Sequence, residues 1–304
     1  MAKEKSNKFK QQKMKAWEPI LTLTPAIITF IVIGIVLIPI GVVMLKASND
    51  VVESIVRYDE RCPVGGPLCN ITMNIPKKME SPVYMYYGIE KFYQNHRRFV
   101  KSRNDDQLRG MMVTDMKKLK EDCEPFTSLN GTLDTVYLPC GLVARSMFND
   151  TFSLFDKDGA TVVLQKKGIA WGSDIDKKFK NPPADAKGIR IIPDYTDEDF
   201  IVWMRTAALP DVRKLYRIIN QDLPEGSVTV SINANYPVDS FDGEKYIVLT
   251  TATWTGGKNA FLSYVYIVVG AVSLFIGIGF LVKHKVAPRK LGDTRYLEWN
   301  NKDK

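Results

Sequence analysis

"AIITFIVIGIVLIPIGVVML", residues 26–45, runs for 20 residues without a charged side chain, and it decides how the rest of the chain is read. At about 1.5 Å of rise per residue, a helix of that length reaches ~30 Å, the thickness of a bilayer's hydrocarbon core. A second run, "AFLSYVYIVVGAVSLFIGIGFLV" at 260–282, has 23 such residues. Both read as transmembrane helices. A cleaved signal peptide is a poor account of the first, which is longer than the roughly 7–15 residues of a signal's apolar region and leaves through "MLKASND" with no small-residue cleavage pattern. A buried core helix is a poor account of the second, because such a helix rarely stays apolar on every face and then stops at "KHK".

The two runs divide the chain into a basic tail (1–25), a first span (26–45), a large intervening segment (46–259), a second span (260–282) and a second basic tail (283–304). The tails together hold thirteen Lys/Arg and five Asp/Glu, which is the whole of the net charge of +8, and the segment between the spans holds 29 of each sign. Positively charged flanks stay on the cytosolic side, so both termini are expected in the cytosol and residues 46–259 in the lumen or outside the cell. The basic excess therefore lies beside anionic lipid headgroups and gives no support to nucleic-acid binding. Phe9, Met14 and Trp17, set among lysines and stopped by Pro19, suggest a short helix lying on the cytosolic leaflet.

Other features mark the same compartment. Three N-x-[ST] acceptors, at Asn70, Asn130 and Asn149, all fall between the spans. So do all four cysteines, Cys62, Cys69, Cys123 and Cys140, an even number as an oxidising compartment favours. Of their three possible pairings, Cys62 with Cys69 and Cys123 with Cys140 are favoured, since each closes a short, turn-rich loop. A zinc site lacks paired C-x-x-C spacing and has only His96 nearby in the segment.

"FNDTFSLFDKDGAT" (148–161) holds two conflicting signals. Its start is the Asn149 sequon, while "DKDGAT" comes close to the D-K-T-G-T phosphorylation motif of ATP-driven ion pumps. The lumenal placement denies Asp156 access to ATP, and Asp158 stands where that motif needs threonine. An acidic Asp-Gly turn between two strands is the better reading.

Within 46–259, "SVTVSINANY" (227–236) alternates apolar and polar residues and "KYIVLTTATW" (245–254) is rich in β-branched ones. With "PVDSFDGE" between them they suggest a two-strand hairpin or meander. "PVYMYYGIE" (82–90) and "ATVVLQ" (160–165) suggest further strands, while "TDEDFIVWMRTAA" (196–208) fits a helix begun at Thr196 or a strand. The expected fold is thus a two-span membrane protein with a large, mostly β lumenal or extracellular domain carrying short helices.

No enzyme motif survives inspection. His96 and His284 fall on opposite sides of the membrane, which leaves no Ser-His-Asp or Cys-His arrangement. The carboxylate groups Asp105/Asp106 and Asp197/Glu198/Asp199 fit a balanced, solvated surface better than a glycosidase pair. "KFYQNHRRFVKSR" (91–103) reads as packed aromatics under a solvated basic face, and Gly256-Gly257-Lys258 lacks the spacing of a phosphate loop. No catalytic, cofactor-binding or metal-binding residue is expected. Neither span holds an ionisable residue, while Gly34 with Gly41, and Ser273 with Gly277, place small residues where another helix can approach.

Seven blocks, among them "FKQQKMKAWEPILT", "YQNHRRFVKSRNDDQL", "PCGLVARSMFNDTF", "GIAWGSDIDKKFKNP", "DFIVWMRTAALPDVRKLYRII" and "YPVDSFDGEKYIVLTTATWTGGKN", resemble in order the non-catalytic subunit family of type IV P-type ATPases, the lipid flippases. It is also called the cell-division-cycle-fifty or ligand-effect-modulator family, and the likeness runs from about Phe9 to Lys283. The resemblance implies an antiparallel β-sandwich domain with extensions that seals the outer face of the pump. It implies an accessory subunit in a heterodimer with a type IV P-type ATPase, needed for exit from the endoplasmic reticulum and for movement of aminophospholipids to the cytosolic leaflet. It also matches Asn149 to a family glycosylation position and Cys123 with Cys140 to a family disulfide, and it places the protein in the endoplasmic reticulum, Golgi, endosomes or plasma membrane. A two-span channel or receptor subunit is the alternative.

Overall fold

The computed structural model of the chain describes Phe9, Met14 and residues 22–288. The expected interfacial helix around Trp17, and the second basic tail beyond 288, lie outside the described residues. Two compact units are present, Met1–Lys46 with Asn259–Lys304, and Ala47–Lys258.

The first unit is a pair of long helices, α1 (Leu23–Asn49) at one end of the chain and a last helix (Phe261–Val286) at the other. Each is long and apolar enough to cross a membrane. Each also continues beyond its uncharged run, into Lys46 in one case and into Lys283 and Lys285 in the other. The small residues lie where the two helices meet. A Cβ on Gly34 would stand 2.8 Å from the Gly270 carbonyl, one on Gly41 2.9 Å from the Ser263 carbonyl, and one on Gly277 2.9 Å from Ile31. Without a hydrophobic drive between helices in lipid, backbone approach of this kind is a main source of their attraction.

The second unit holds all the strands. In chain order these are β1 (Glu53–Arg57), β2 (Cys69–Ile75), β3 (Val83–Ile89), β4 (Tyr137–Leu138), β5 (Thr151–Phe155), β6 (Thr161–Val162), β7 (Ile189–Arg190), β8 (Val212–Ile219), β9 (Gly226–Asn233) and β10 (Lys245–Thr250). Six short helices decorate them: α2 (Arg97–Lys101), α3 (Asp105–Leu108), α4 (Met116–Cys123), α5 (Leu142–Arg145), α6 (Gly172–Lys177) and α7 (Glu198–Met204), which makes the C-terminal span α8.

Two four-stranded antiparallel sheets form, in the orders β1-β10-β3-β8 and β2-β9-β5-β6, and β4 pairs in parallel with β7. Alternation decides which faces meet. Met73, Ile71, Val228, Val230 and Leu154 of one sheet join Met85, Tyr87, Ile247 and Leu249 of the other in a single buried core. A satellite core of Leu119, Val136 and Leu138 surrounds Cys123 and Cys140.

The expected hairpin between the two C-terminal strands does not form. β9 lies in one sheet and β10 in the other, so the chain crosses between layers through a short 3-10 turn at Asp239–Phe241 and the left-handed Asp242. The connection is much longer than the two to five residues that hold adjacent strands in a hairpin. Residues 196–208, compatible with either structure, form helix α7. Asp197, rather than Thr196, caps it by accepting from the Asp199 amide, and Phe200, Ile201, Trp203 and Met204 are buried.

Candidate interaction surface

The motif residues set aside in the sequence take structural roles. Asp156 closes the β5–β6 turn: its Oδ1 accepts from the amides of Asp158 (2.9 Å) and Ala160 (2.8 Å), and Gly159 supplies the positive φ of 80°. Asp106 pairs with Lys118 at 2.7 Å, Asp199 with Arg217 at 2.6 Å, and the Glu198 carboxylate accepts from the amides of Gly168 and Ala170. In 91–103, Phe92 and Phe99 meet edge to face and pack against the core while Arg97, Arg98 and Lys101 are exposed; Tyr93, however, is exposed with them. Among the described residues no group of three or more His, Cys, Asp or Glu is placed to hold a metal ion.

Both pairs of cysteines are bonded, Cys62 with Cys69 and Cys123 with Cys140, at Cα separations of 5.5 and 5.6 Å. The second bridge is held in a polar frame. Gln107 Oε1 accepts from the Cys140 amide, and the Ser102 hydroxyl donates toward the Glu124 carbonyl while accepting from the Leu142 amide. Gly141 follows at φ 105°, its Cα pressed against the Ser102 backbone so closely that no side chain fits.

The outer faces of the two sheets differ in chemistry. On β2-β9-β5 the outward rows read Asn70, Ser231, Ser153 and Thr72, Thr229, Phe155, nearly all small and polar. Asn70 projects from this face, and Thr151 of the Asn149 sequon opens β5 at its end. Asn70, Asn130 and Asn149 are all exposed, as are their Thr partners.

On β1-β10-β3-β8 the outward rows read Ile55, Val248, Tyr86, Leu215 and Arg57, Tyr246, Gly88, Arg213, with Tyr84 in the next. The Tyr246 ring lies across Gly88, where a Cβ would collide with it. The Arg213 guanidinium sits 4.6 Å from the Tyr86 ring centre and bonds Glu53 at 2.8 Å. Tyr86 and Arg213 also border a cleft of about 380 Å³ whose far wall is Trp171, 61% exposed, with Arg205 stacked on its ring. Exposed Trp and Arg beside half-buried Tyr are the side chains that dominate protein–protein interfaces. Neither Trp171 with Arg205 nor the tyrosine face was singled out in the sequence; the period-2 spacing of Tyr84 and Tyr86 was the available signal.

At one end of the sandwich the two sheets are joined by a buried polar node. Asp150 Oδ2 accepts from Lys245 Nζ (2.8 Å) and from the Tyr58 hydroxyl (2.6 Å), its Oδ1 accepts from the amides of Asn235 and Tyr236, and Lys245 also donates to the Tyr236 carbonyl. Both charged side chains are fully buried. Burial, then the Asp150 charge, hold the Tyr58 hydroxyl protonated well above the ordinary tyrosine range.

Comparison with known proteins identifies a family. The model of the LEM3 (ligand-effect modulator 3) family / CDC50 family matches residues 44–290. The chain is 42% identical to "ALA-interacting subunit 3" of Arabidopsis thaliana across 97% of its own length and 90% of that protein's. It is 40% identical to "Cell cycle control protein 50A" of Bos taurus (91% and 88% covered) and 34% identical to "Cell cycle control protein 50B" of Homo sapiens (90% and 91%). A membrane protein with two apolar helices, a two-sheet domain between them and two disulfides, this chain belongs to the ligand-effect-modulator/CDC50 family.

Proposed function

We propose that the protein is the accessory subunit of a type IV P-type ATPase phospholipid flippase, contributing binding energy rather than chemistry. The observation that carries this reading is the family match over residues 44–290, joined to near full-length similarity to a plant protein whose name is that of an interacting subunit. In this reading both tails are cytosolic, residues 46–259 lie on the lumenal side, and Asn70, Asn130 and Asn149 carry glycans. Gly34, Gly41, Gly270 and Gly277 are taken up by contact between the two spans, so large apolar side chains such as Val32, Val36 and Val43 on α1 and Val268, Val272 and Phe275 on α8 remain for the catalytic subunit's helices and for lipid. The tyrosine and arginine face of β1-β10-β3-β8, with the Trp171 cleft, meets its lumenal loops.

Assembly then brings the catalytic subunit out of the endoplasmic reticulum and stabilises it while it moves aminophospholipids toward the cytosolic leaflet. Co-expression with such an ATPase tests this. The pump should leave the endoplasmic reticulum and show lipid-stimulated ATP hydrolysis only when this chain is present. A pump that exits and hydrolyses ATP equally well alone would contradict the proposal.

A further inference from the structure

Three tryptophans fall among the described residues, and two of them have partners. Trp203 is buried and donates to the Val143 carbonyl, and Trp171 carries Arg205 on its ring. Trp254 is 74% exposed, and its indole makes no hydrogen bond, ring contact or cation contact among the described residues. Its backbone is nevertheless fixed. Thr253 and Gly256 exchange amide-to-carbonyl hydrogen bonds of 3.0 and 2.9 Å around a two-residue loop, the Thr253 and Thr255 hydroxyls meet at 2.9 Å, and Gly256 supplies a positive φ of 101°. A rigid turn thus holds a large apolar ring out of the fold.

Connectivity limits where this turn can be. Val52, three residues beyond the end of α1, is hydrogen-bonded in both directions to Thr251, and Phe261, seven residues beyond Trp254, opens α8. At ~3.5 Å per extended residue, Trp254 lies within ~25 Å of the end of each span. Lys258, also exposed, stands between the turn and α8. Indole rings collect at the headgroup level of a bilayer, where the ring is covered by apolar groups while its N–H stays wet, and a lysine there can place its ammonium beside lipid phosphates.

We propose that the Trp254 turn is a lipid-contact site: the indole seats among the glycerol and carbonyl groups of the leaflet that faces the two-sheet domain, and Lys258 pairs with a phospholipid phosphate. The domain is thereby held on the bilayer at a third point besides its connections to α1 and α8. This rests on the two helices crossing a membrane and not on the identity of the catalytic subunit; the leaflet follows from the orientation proposed above, which glycosylation mapping checks separately.

The test places the full chain in phosphatidylcholine nanodiscs carrying a fluorescence quencher either at the headgroup or deep in the acyl chain. Subtracting the emission of Trp254→Phe from that of the wild type isolates the one indole, and an unchanged thermal midpoint shows that the variant folds. The difference emission should be blue-shifted from that of a solvated indole and should lose several-fold more intensity to the headgroup quencher than to the deep one. Lys258→Glu should reduce that quenching; equal quenching would overturn the phosphate contact. In a second arm, p-benzoylphenylalanine replaces Trp254 in the chain co-reconstituted with a type IV P-type ATPase, and irradiation should attach it to phospholipid. A solvated emission that neither quencher reaches, or attachment to the catalytic subunit in place of lipid, would overturn the proposal.

Discussion

Lys245 at the start of β10 reaches Asp150, the residue just before β5, across 2.8 Å with both side chains fully buried, and Asp150 is also the middle residue of the Asn149 sequon. The pair ties the two sheets together and fixes the backbone beside the proposed glycan acceptor at once. Removing one member of a buried pair strands the other charge, at a cost of ~3–5 kcal/mol. Lys245→Met should therefore lower unfolding stability by about that amount. Asp150→Asn keeps the sequon but should unfold nearly as readily, which denaturant unfolding of the purified chain will show.

Lys214 in β8 provides a pH signature. Burial, with a second contribution from Arg205, lowers its pKa to about 8, and its ammonium donates to the Arg205 carbonyl. The unfolded residue keeps the ordinary lysine value near ~10.4. Between those two values the unfolded chain holds a proton that the native chain has released, so this residue's contribution to stability rises with pH across the window; below pH 8 the burial penalty is complete. Relative to Lys214→Met, the wild type should gain on the order of 2 kcal/mol between pH 7 and pH 10, measured by denaturant unfolding. A constant difference would show that Lys214 titrates normally.

The helix pair makes a steric prediction. Gly34→Leu places a side chain against Leu274 and the Gly270 carbonyl, and Gly270→Leu places one against Ile38. Either should separate α1 from α8 and reduce the recovery of folded protein in detergent several-fold. Gly279→Leu, which meets nothing nearby, should not.

Topology is checked by mass. Complete deglycosylation should lower the apparent mass, Asn70→Gln, Asn130→Gln and Asn149→Gln should each remove one step, and a sequon introduced near Ser6 should add none. Glycosylation at the amino terminus would reverse the orientation.

Much of this was legible in the sequence because the signals were local. The spans announce themselves by length and lack of charge, β9 by alternation, and Asp156 as a turn residue by the Gly159 that follows it. What escaped was non-local. Nothing near Lys245 shows that β10 leaves its sequence neighbour β9 for the other sheet. Asp150 and Lys245, 95 positions apart, looked like members of a balanced solvated surface. The Arg205 stack on Trp171 likewise depends on α7 being a helix, which its β-branched and aromatic residues left open until tertiary packing decided it.

Asp156 offers a control on the proposed non-catalytic role of this chain. Because its Oδ1 serves two backbone amides, Asp156→Asn should preserve the turn and leave ATP hydrolysis by the assembled complex unchanged, whereas Asp156→Ala should cost ~1 kcal/mol of stability. A phosphoenzyme formed on this chain would contradict the proposed non-catalytic role.

The most direct measurement is purification of the chain from native membranes, followed by mass analysis of the intact complex. The account predicts a one-to-one assembly with a type IV P-type ATPase, weakened by charge reversal at Arg205 and Arg213 on the tyrosine face and unaffected by Asn70→Gln on the opposite one. Recovery of self-oligomers alone, with no P-type ATPase in any detergent, would contradict it.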